Sequence, residues 1–175
     1  MADDTYPWSG DFNDLNPDDQ RAVAQLVVRG KAVDGTVDDL FARLRRTRCV
    51  ALIREKDGDR IVAAAAWKRP GAAYRQSKFK EASAPIAGFE AAPELGYVVR
   101  AADMQGRQLS SDLIDAIVQH ITEPTFATTS SNTIRNHLER AGFERVGCDF
   151  PGNNGMLSLW TITPGPALSF MPGIL

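Results

Sequence analysis

At 175 residues, with 43% hydrophobic and 24% charged side chains, the chain suits one domain with an adequate core, since domains cluster near ~100–150 residues. A formal net charge of −2 gives no global field toward nucleic acid or an anionic membrane, so nucleic acid is not an expected partner. No apolar run approaches the ~20 residues of a membrane-spanning helix. The opening MADDTYPWSG is acidic and lacks the basic stretch, apolar core and cleavage site of a secretory signal, so a cytoplasmic location with reduced thiols is expected.

In chain order, NPDDQRAVAQLVVRGK reads as a helix, with Asn16 as N-cap, Pro17 at the first helical position, acidic residues in the first turn and Gly30 as a stop. GTVDDLFARLRR repeats the logic, with Thr36 as cap and Val37, Leu40, Phe41 and Leu44 at helical spacing. RCVALIREKDGDRIVAAAAW predicts two strands joined by a turn at Asp57 and Gly58. Residues 68–93 show no sustained period and read as a long connection, which in a compact domain is usually functional and here is expected near a substrate. Then come a strand in ELGYVVR, a loop, and a helix whose Leu109, Leu113, Ala116, Ile117 and Ile121 form one stripe. TFATT is a short strand, and SSNTIRNHLERAGF is a helix closed by Gly142. FERVGCDF and MLSLWTI are strands around the turn PGNNG.

Helices between strands in the second half imply right-handed crossovers and local parallel pairing, whereas the hairpins imply antiparallel pairing. The expected fold is mixed α/β, with a mostly antiparallel sheet, locally parallel central strands and flanking helices. One domain over residues 1–163 and an irregular tail over 164–175 complete the division. The tail carries three prolines, and with Trp160, Phe170 and Met171 nearby it could cover a second copy as easily as its own sheet. A homodimer therefore stays open.

Cys49 and Cys148 sit inside strand-like runs and read as buried small hydrophobes. Arg43, Arg45, Arg46 and Arg48 close the second helix, where cations complement the dipole. Lys68, Arg69, Arg75, Lys78 and Lys80 lie in the long connection, where they could meet an anionic ligand but are more often simply solvated. His120 and His137 lack a ligand-pair spacing, so no metal is expected. GDFNDLNPDD lacks the spacing of a calcium loop, and no G-x-S-x-G elbow is present.

The stretch MQGRQLSSDLIDAIV places a glycine and small or amide residues between a strand and a helix N-terminus. Unpaired N–H groups and the helix dipole there suit a phosphate if the backbone can approach. Together, ELGYVVRAADMQGRQLSSDLIDAI and SSNTIRNHLERAGFERVG resemble the GNAT superfamily of acyl-CoA-dependent N-acetyltransferases. The family's Q/R-x-x-G-x-G/A loop aligns with Gln105, Gly106, Arg107, Gln108, Leu109 and Ser110. Gln108 replaces the usual glycine, and Ser110 the final glycine or alanine.

The resemblance implies acetyl-CoA as acyl donor, no metal, and a small-molecule or peptide amine as acceptor. It also implies direct transfer, pantetheine held by the backbone of Val98 and Val99, and pyrophosphate held by residues 105–111, including Ser111. Asn132 would join this donor site. Glu94 matches the carboxylate that acts as base, and its rival reading is a solvated strand-start glutamate; strand N–H groups near Val98 would stabilise the oxyanion. Leu138 stands where the family's tyrosine acid is usual. A catalytically silent GNAT-fold module that binds acyl-CoA or another protein is therefore the alternative.

Overall fold

The computed structural model describes residues 4–165. The elements are β1 (Thr5–Gly10), α1 (Pro17–Arg29), α2 (Val37–Leu44), β2 (Cys49–Glu55), β3 (Ile61–Lys68), α3 (Ala72–Glu81) and β4 (Glu94–Arg100). They continue with α4 (Leu109–Val118), β5 (Thr125–Thr129), α5 (Asn132–Arg140), β6 (Glu144–Gly152) and β7 (Gly155–Ile162). The tail expected over 164–175 falls almost wholly outside the described residues.

Local chemistry explains the first helices. Asn16 Oδ1 accepts the Asp19 N–H at 2.9 Å, and Thr36 with Asp39 closes a reciprocal capping box. Gly30 does end α1, but with φ −73° it needs no left-handed freedom. A Cβ there would stand 2.6 Å from Val99 Cγ1, so its role is to let α1 meet β4 closely.

Seven strands form one sheet in the order β1-β2-β3-β4-β5-β7-β6, antiparallel except for β4 against β5. The expected parallel pair is thus present once. The α5 connection does not make a second one, because β7 inserts between β5 and β6. Hairpin formation between β6 and β7, and the pairing of β7 with β5, outweigh the simpler crossover that the sequence order suggests.

Alternation along the strands separates two cores. Val50, Leu52, Ala64 and Ala66 face α1 and α2, whereas Ala51, Ile53, Ala63, Ala65 and Trp67 face α4. A third cluster packs Phe79 of α3 on Phe126, Phe150 and Leu159.

Two elements differ from the sequence reading. TYPWSG is an edge strand, where Pro7 is tolerated because one side of its backbone needs no partner. Residues 72–81 of the long connection are the helix α3, whose weak apolar pattern hides it: only Arg75 and Phe79 are buried.

Arg75 is thus not solvated; its guanidinium donates to the carbonyls of Ala92 at 2.8 Å, Glu90 at 2.6 Å and Pro70 at 3.2 Å. This tie fixes the connection to the start of β4. Cys49 is buried as expected, but Cys148 is exposed. It lies where β6 bulges off β7 and donates its N–H to Ala82 O at 2.7 Å.

Candidate active site

The single parallel pair sets the site. β4 and β5 are matched only at Glu94 with Phe126 and Leu95 with Ala127. Beyond these positions the strands part. A cause lies on the other side of β4, where Ala64 pairs with Val99 and Ala66 with Gly96, an arrangement that leaves an extra residue on β4. Such a bulge bends and twists its strand. Tyr97 sits in it with φ +56°, a conformation that costs a non-glycine residue of order 1–3 kcal/mol and persists only where its surroundings impose it.

The parted strands open a cleft of about 1950 Å³. It passes through the sheet. On the α1/α2 face its lining includes Lys68, Tyr74, Glu94 and Thr128; on the other face it includes Leu95, Ala127, Ile134 and Leu138. Past Leu95, the edge of β4 toward β5 has no strand partner among the described residues. An unpaired strand edge of this kind accepts a peptide-like chain of amides.

Glu94 is not a solvated strand-start residue; it is 2% exposed. Lys68 lies directly across the β3–β4 ladder, and its Nζ stands 2.9 Å from Glu94 Oε2. A Cβ on Gly96 would be 2.7 Å from Lys68 Cε, so the glycine makes room for this side chain to lie back over β4. Glu94 Oε1 accepts from the Tyr74 hydroxyl at 3.2 Å and from Thr128 Oγ1 at 3.4 Å. Oε2 receives no donor in hydrogen-bond geometry among the described residues, the close ammonium lying off that direction.

The electrostatics follow from this packing. Burial pulls the Lys68 ammonium down, but the Glu94 carboxylate, and then Tyr74 and Tyr97, outweigh it and leave the pKa at about 12. The Lys68 charge also sits 4.4 Å from the centre of the Tyr97 ring. Burial first, and the Glu94 charge second, push the Tyr74 hydroxyl up to about 12. Both groups hold their protons at neutral pH.

Other expected site residues fall as follows. Val98 lines the cleft, whereas the Val99 side chain is buried against α1. Gln105, Gly106, Arg107 and Gln108 are exposed, while Leu109 and Ser110 are buried at the start of α4. Gly106 has φ +84°, and nothing lies within 4 Å of where its Cβ would be. Gln108 has φ −79°, so a side chain is unstrained at the position where the family pattern has glycine.

No side chain caps α4, in contrast to α1, α2 and α5. At α5, Ser131 is the cap, accepting from Ile134 N at 3.3 Å. Asn132 is the first helical residue, exposed and bonded to Arg135. The 105–111 loop lies outside the lining of the large cleft.

Leu138 is fully buried on the cleft wall. His137 is buried too, its Nδ1 against Arg140 and its Nε2 without a partner among the described residues. Tyr97 belongs to the core under α1 and α2 while its backbone borders the cleft.

Sequence reasoning missed Lys68, Tyr74 and Thr128 as a group, because they arrive from β3, α3 and β5. The signal for Lys68 was the strand register, which a bulge obscures. For Tyr74 there was none. No group of metal-ligating side chains occurs among the described residues, and no helix there is long and apolar enough to cross a membrane.

The fold recurs in solved structures. A GNAT-family acetyltransferase from Streptococcus agalactiae superimposes with a TM-score of 0.65 at 11% identity, covering 91% of this chain and 96% of that one. An acyl-CoA N-acyltransferase from Pseudomonas aeruginosa gives 0.62 at 13% identity, covering 90% and 98%. An aminoglycoside 6'-acetyltransferase type Ii gives 0.60 at 15% identity, covering 92% and 99%. The chain has the GNAT fold. No protein-family profile matches it, and no curated protein does.

Proposed function

We propose that the protein is an N-acetyltransferase that moves the acetyl group of acetyl-CoA directly to a primary amine. The observation that carries this reading is Glu94, a buried carboxylate ion-paired with Lys68 and lining a cleft through the sheet. Residues 1–163 act as one domain, and the cytoplasm is the proposed compartment.

The chain's residues fit the donor. The unpaired β4 edge around Val98 suits the two amides of pantetheine. The N–H groups from Gln105 to Ser110, opened by Gly106 and with no side-chain cap among the described residues, suit pyrophosphate, the Ser111 N–H being already bonded to Gln108 O at 3.1 Å. Arg107 lies in the same exposed loop, and Asn132 begins the neighbouring helix.

In the reaction the amine nitrogen bonds to the thioester carbonyl carbon, the C–S bond breaks, and CoA leaves as thiolate. Glu94 takes the amine proton directly or through water. The ammonium of Lys68 holds the carboxylate in place, and Tyr74 and Thr128 fix Oε1, so the base is oriented before substrate arrives. N–H groups of β4 near Val98 stabilise the oxyanion. A thiol's ordinary pKa near ~8.5 makes the thiolate a fair leaving group that water can protonate, so Leu138 in place of a tyrosine does not stop the reaction.

Leu138 also supports the second reading, an acyl-CoA-binding module without turnover. Calorimetric titration with acetyl-CoA, followed by thiol release with a panel of amines, separates the two. Micromolar binding with amine-dependent thiol release is the expected result. Binding without release selects the silent module, and no binding defeats both.

A further inference from the structure

The α1/α2 face of the cleft has a charge that the chain as a whole does not. Its lining includes Lys31, Arg43, Arg45, Arg46 and Arg69, all exposed, and none is ion-paired among the described residues. The other two lining cations are already neutralised, Lys68 by Glu94 and Lys78 by Glu81, each at 2.9 Å. Among the described residues Asp34 is the one lining carboxylate left over, and it accepts from Asn153 across the cleft. Among the described residues, five lining cations without a salt bridge thus face one such lining carboxylate in a protein of net charge −2, with Asp39 of α2 acting on Arg43 at longer range.

Basic residues after a helix are commonly just solvated, and the dipole of α2 accounts for some of this preference. Here, however, three separate segments bring them together: the α1–α2 connection, the end of α2, and the connection after β3. They meet on the face to which Glu94 and Lys68 point. The donor's phosphates do not need them. The 105–111 loop opens α4, which packs on the opposite face of the sheet and contributes nothing to this lining.

We propose, on the basis of the acetyl-transfer reading above, that the acceptor is a primary amine whose scaffold also carries an anionic group, a carboxylate or a phosphate. The anion sits on these guanidinium and ammonium groups, and the amine reaches toward Glu94. Arginine forks suit both anions, since each presents paired oxygens to parallel N–H donors.

The test uses matched amines: glycine and glycinamide, glutamate and glutamine, phosphoethanolamine and ethanolamine. For each pair, kcat/KM is measured by thiol release, and Kd is measured by titration onto the CoA-loaded protein. The anionic member of at least one pair is expected to win by tenfold or more, which corresponds to about 1.4 kcal/mol. The amino-acid and phosphate arms tell the two anions apart. In Arg43→Gln/Arg46→Gln the ratio should fall toward unity with acetyl-CoA affinity unchanged.

Equal treatment of all pairs, or preference for the neutral members, overturns the proposal. So does a loss of acetyl-CoA affinity in the double variant, because the cations would then serve the donor. If no amine supports thiol release, the transferase reading fails by itself; the Kd ratios still decide whether the face selects anions.

Discussion

On one face of the β4–β5 gap a carboxylate, an ammonium, a phenol and a threonine hydroxyl meet within about hydrogen-bond reach. On the other face, Leu95, Ala127, Ile134 and Leu138 offer mainly carbon. The same two strands build both, because alternate residues of a strand point to opposite sides. In the proposed reaction a gap made this way separates tasks: proton transfer and charge are confined to one face, while backbone and apolar surface on the other hold the donor. Glu94 and Leu95 are adjacent in sequence and belong to different environments.

The sharpest way to break this division is Glu94→Gln, which keeps the shape and removes the base. Turnover should fall by ~10²–10⁴-fold, with acetyl-CoA affinity nearly constant. Full activity in this variant would return Glu94 to a structural role.

Arg75→Ala should come next. It leaves the carbonyls of Pro70, Glu90 and Ala92 without their shared donor, a loss of about 2–4 kcal/mol in urea unfolding. Because α3 carries Tyr74, turnover should suffer more than acetyl-CoA affinity. A change within measurement error would mean that water replaces the guanidinium.

Gly106→Val tests the other face. At φ +84° a β-branched residue is strained, so the loop must rearrange, and acetyl-CoA affinity should drop by about tenfold. Its exposed position predicts a small change in melting temperature. Unchanged affinity would detach the loop from donor binding.

The smallest effect is in pH. Lys68 and Tyr74 both have folded-state pKa values raised to about 12 from 10.5 and 10.0, and burial of Cys49 raises its thiol to about 11. Each contribution is complete below the unfolded value and is lost as pH rises through the folded one. Stability in urea should therefore decline between about pH 9 and 12, with Cys49 contributing first, and less steeply in Lys68→Met. His137 acts in the opposite range. Burial, with Arg140 beside it, lowers its pKa, so stability should decline as pH falls below ~6.5.

Local signals survive in a sequence where neighbours along the chain decide the outcome. Asn16, Thr36, Gly58 and Gly142 mark caps and turns whose hydrogen bonds close within a few residues, and those elements lie where the sequence places them. The order of strands and helices sufficed for a mixed sheet with local parallel pairing, because crossover length distinguishes the two kinds of connection, but the insertion of β7 beside β5 limits that pairing to β4 and β5. Gln105, Gly106 and Glu94 were legible as candidates through the pattern around them. Gln108 was legible as a departure, and only its backbone angle decided that it carries no strain.

Tertiary structure decided what depends on distant partners. β1 and α3 have little apolar pattern of their own and exist because β2 offers an edge and because Arg75 finds three carbonyls. Lys68, Tyr74 and Thr128 reach Glu94 through strand register, a β-bulge at Tyr97 and the docking of α3, none of which is local. The five cations on the α1/α2 face of the cleft are ordinary surface residues when read along the chain. They become one charged wall only because the sheet opens beneath them, since electrostatic fields add by distance in space and not by separation in sequence.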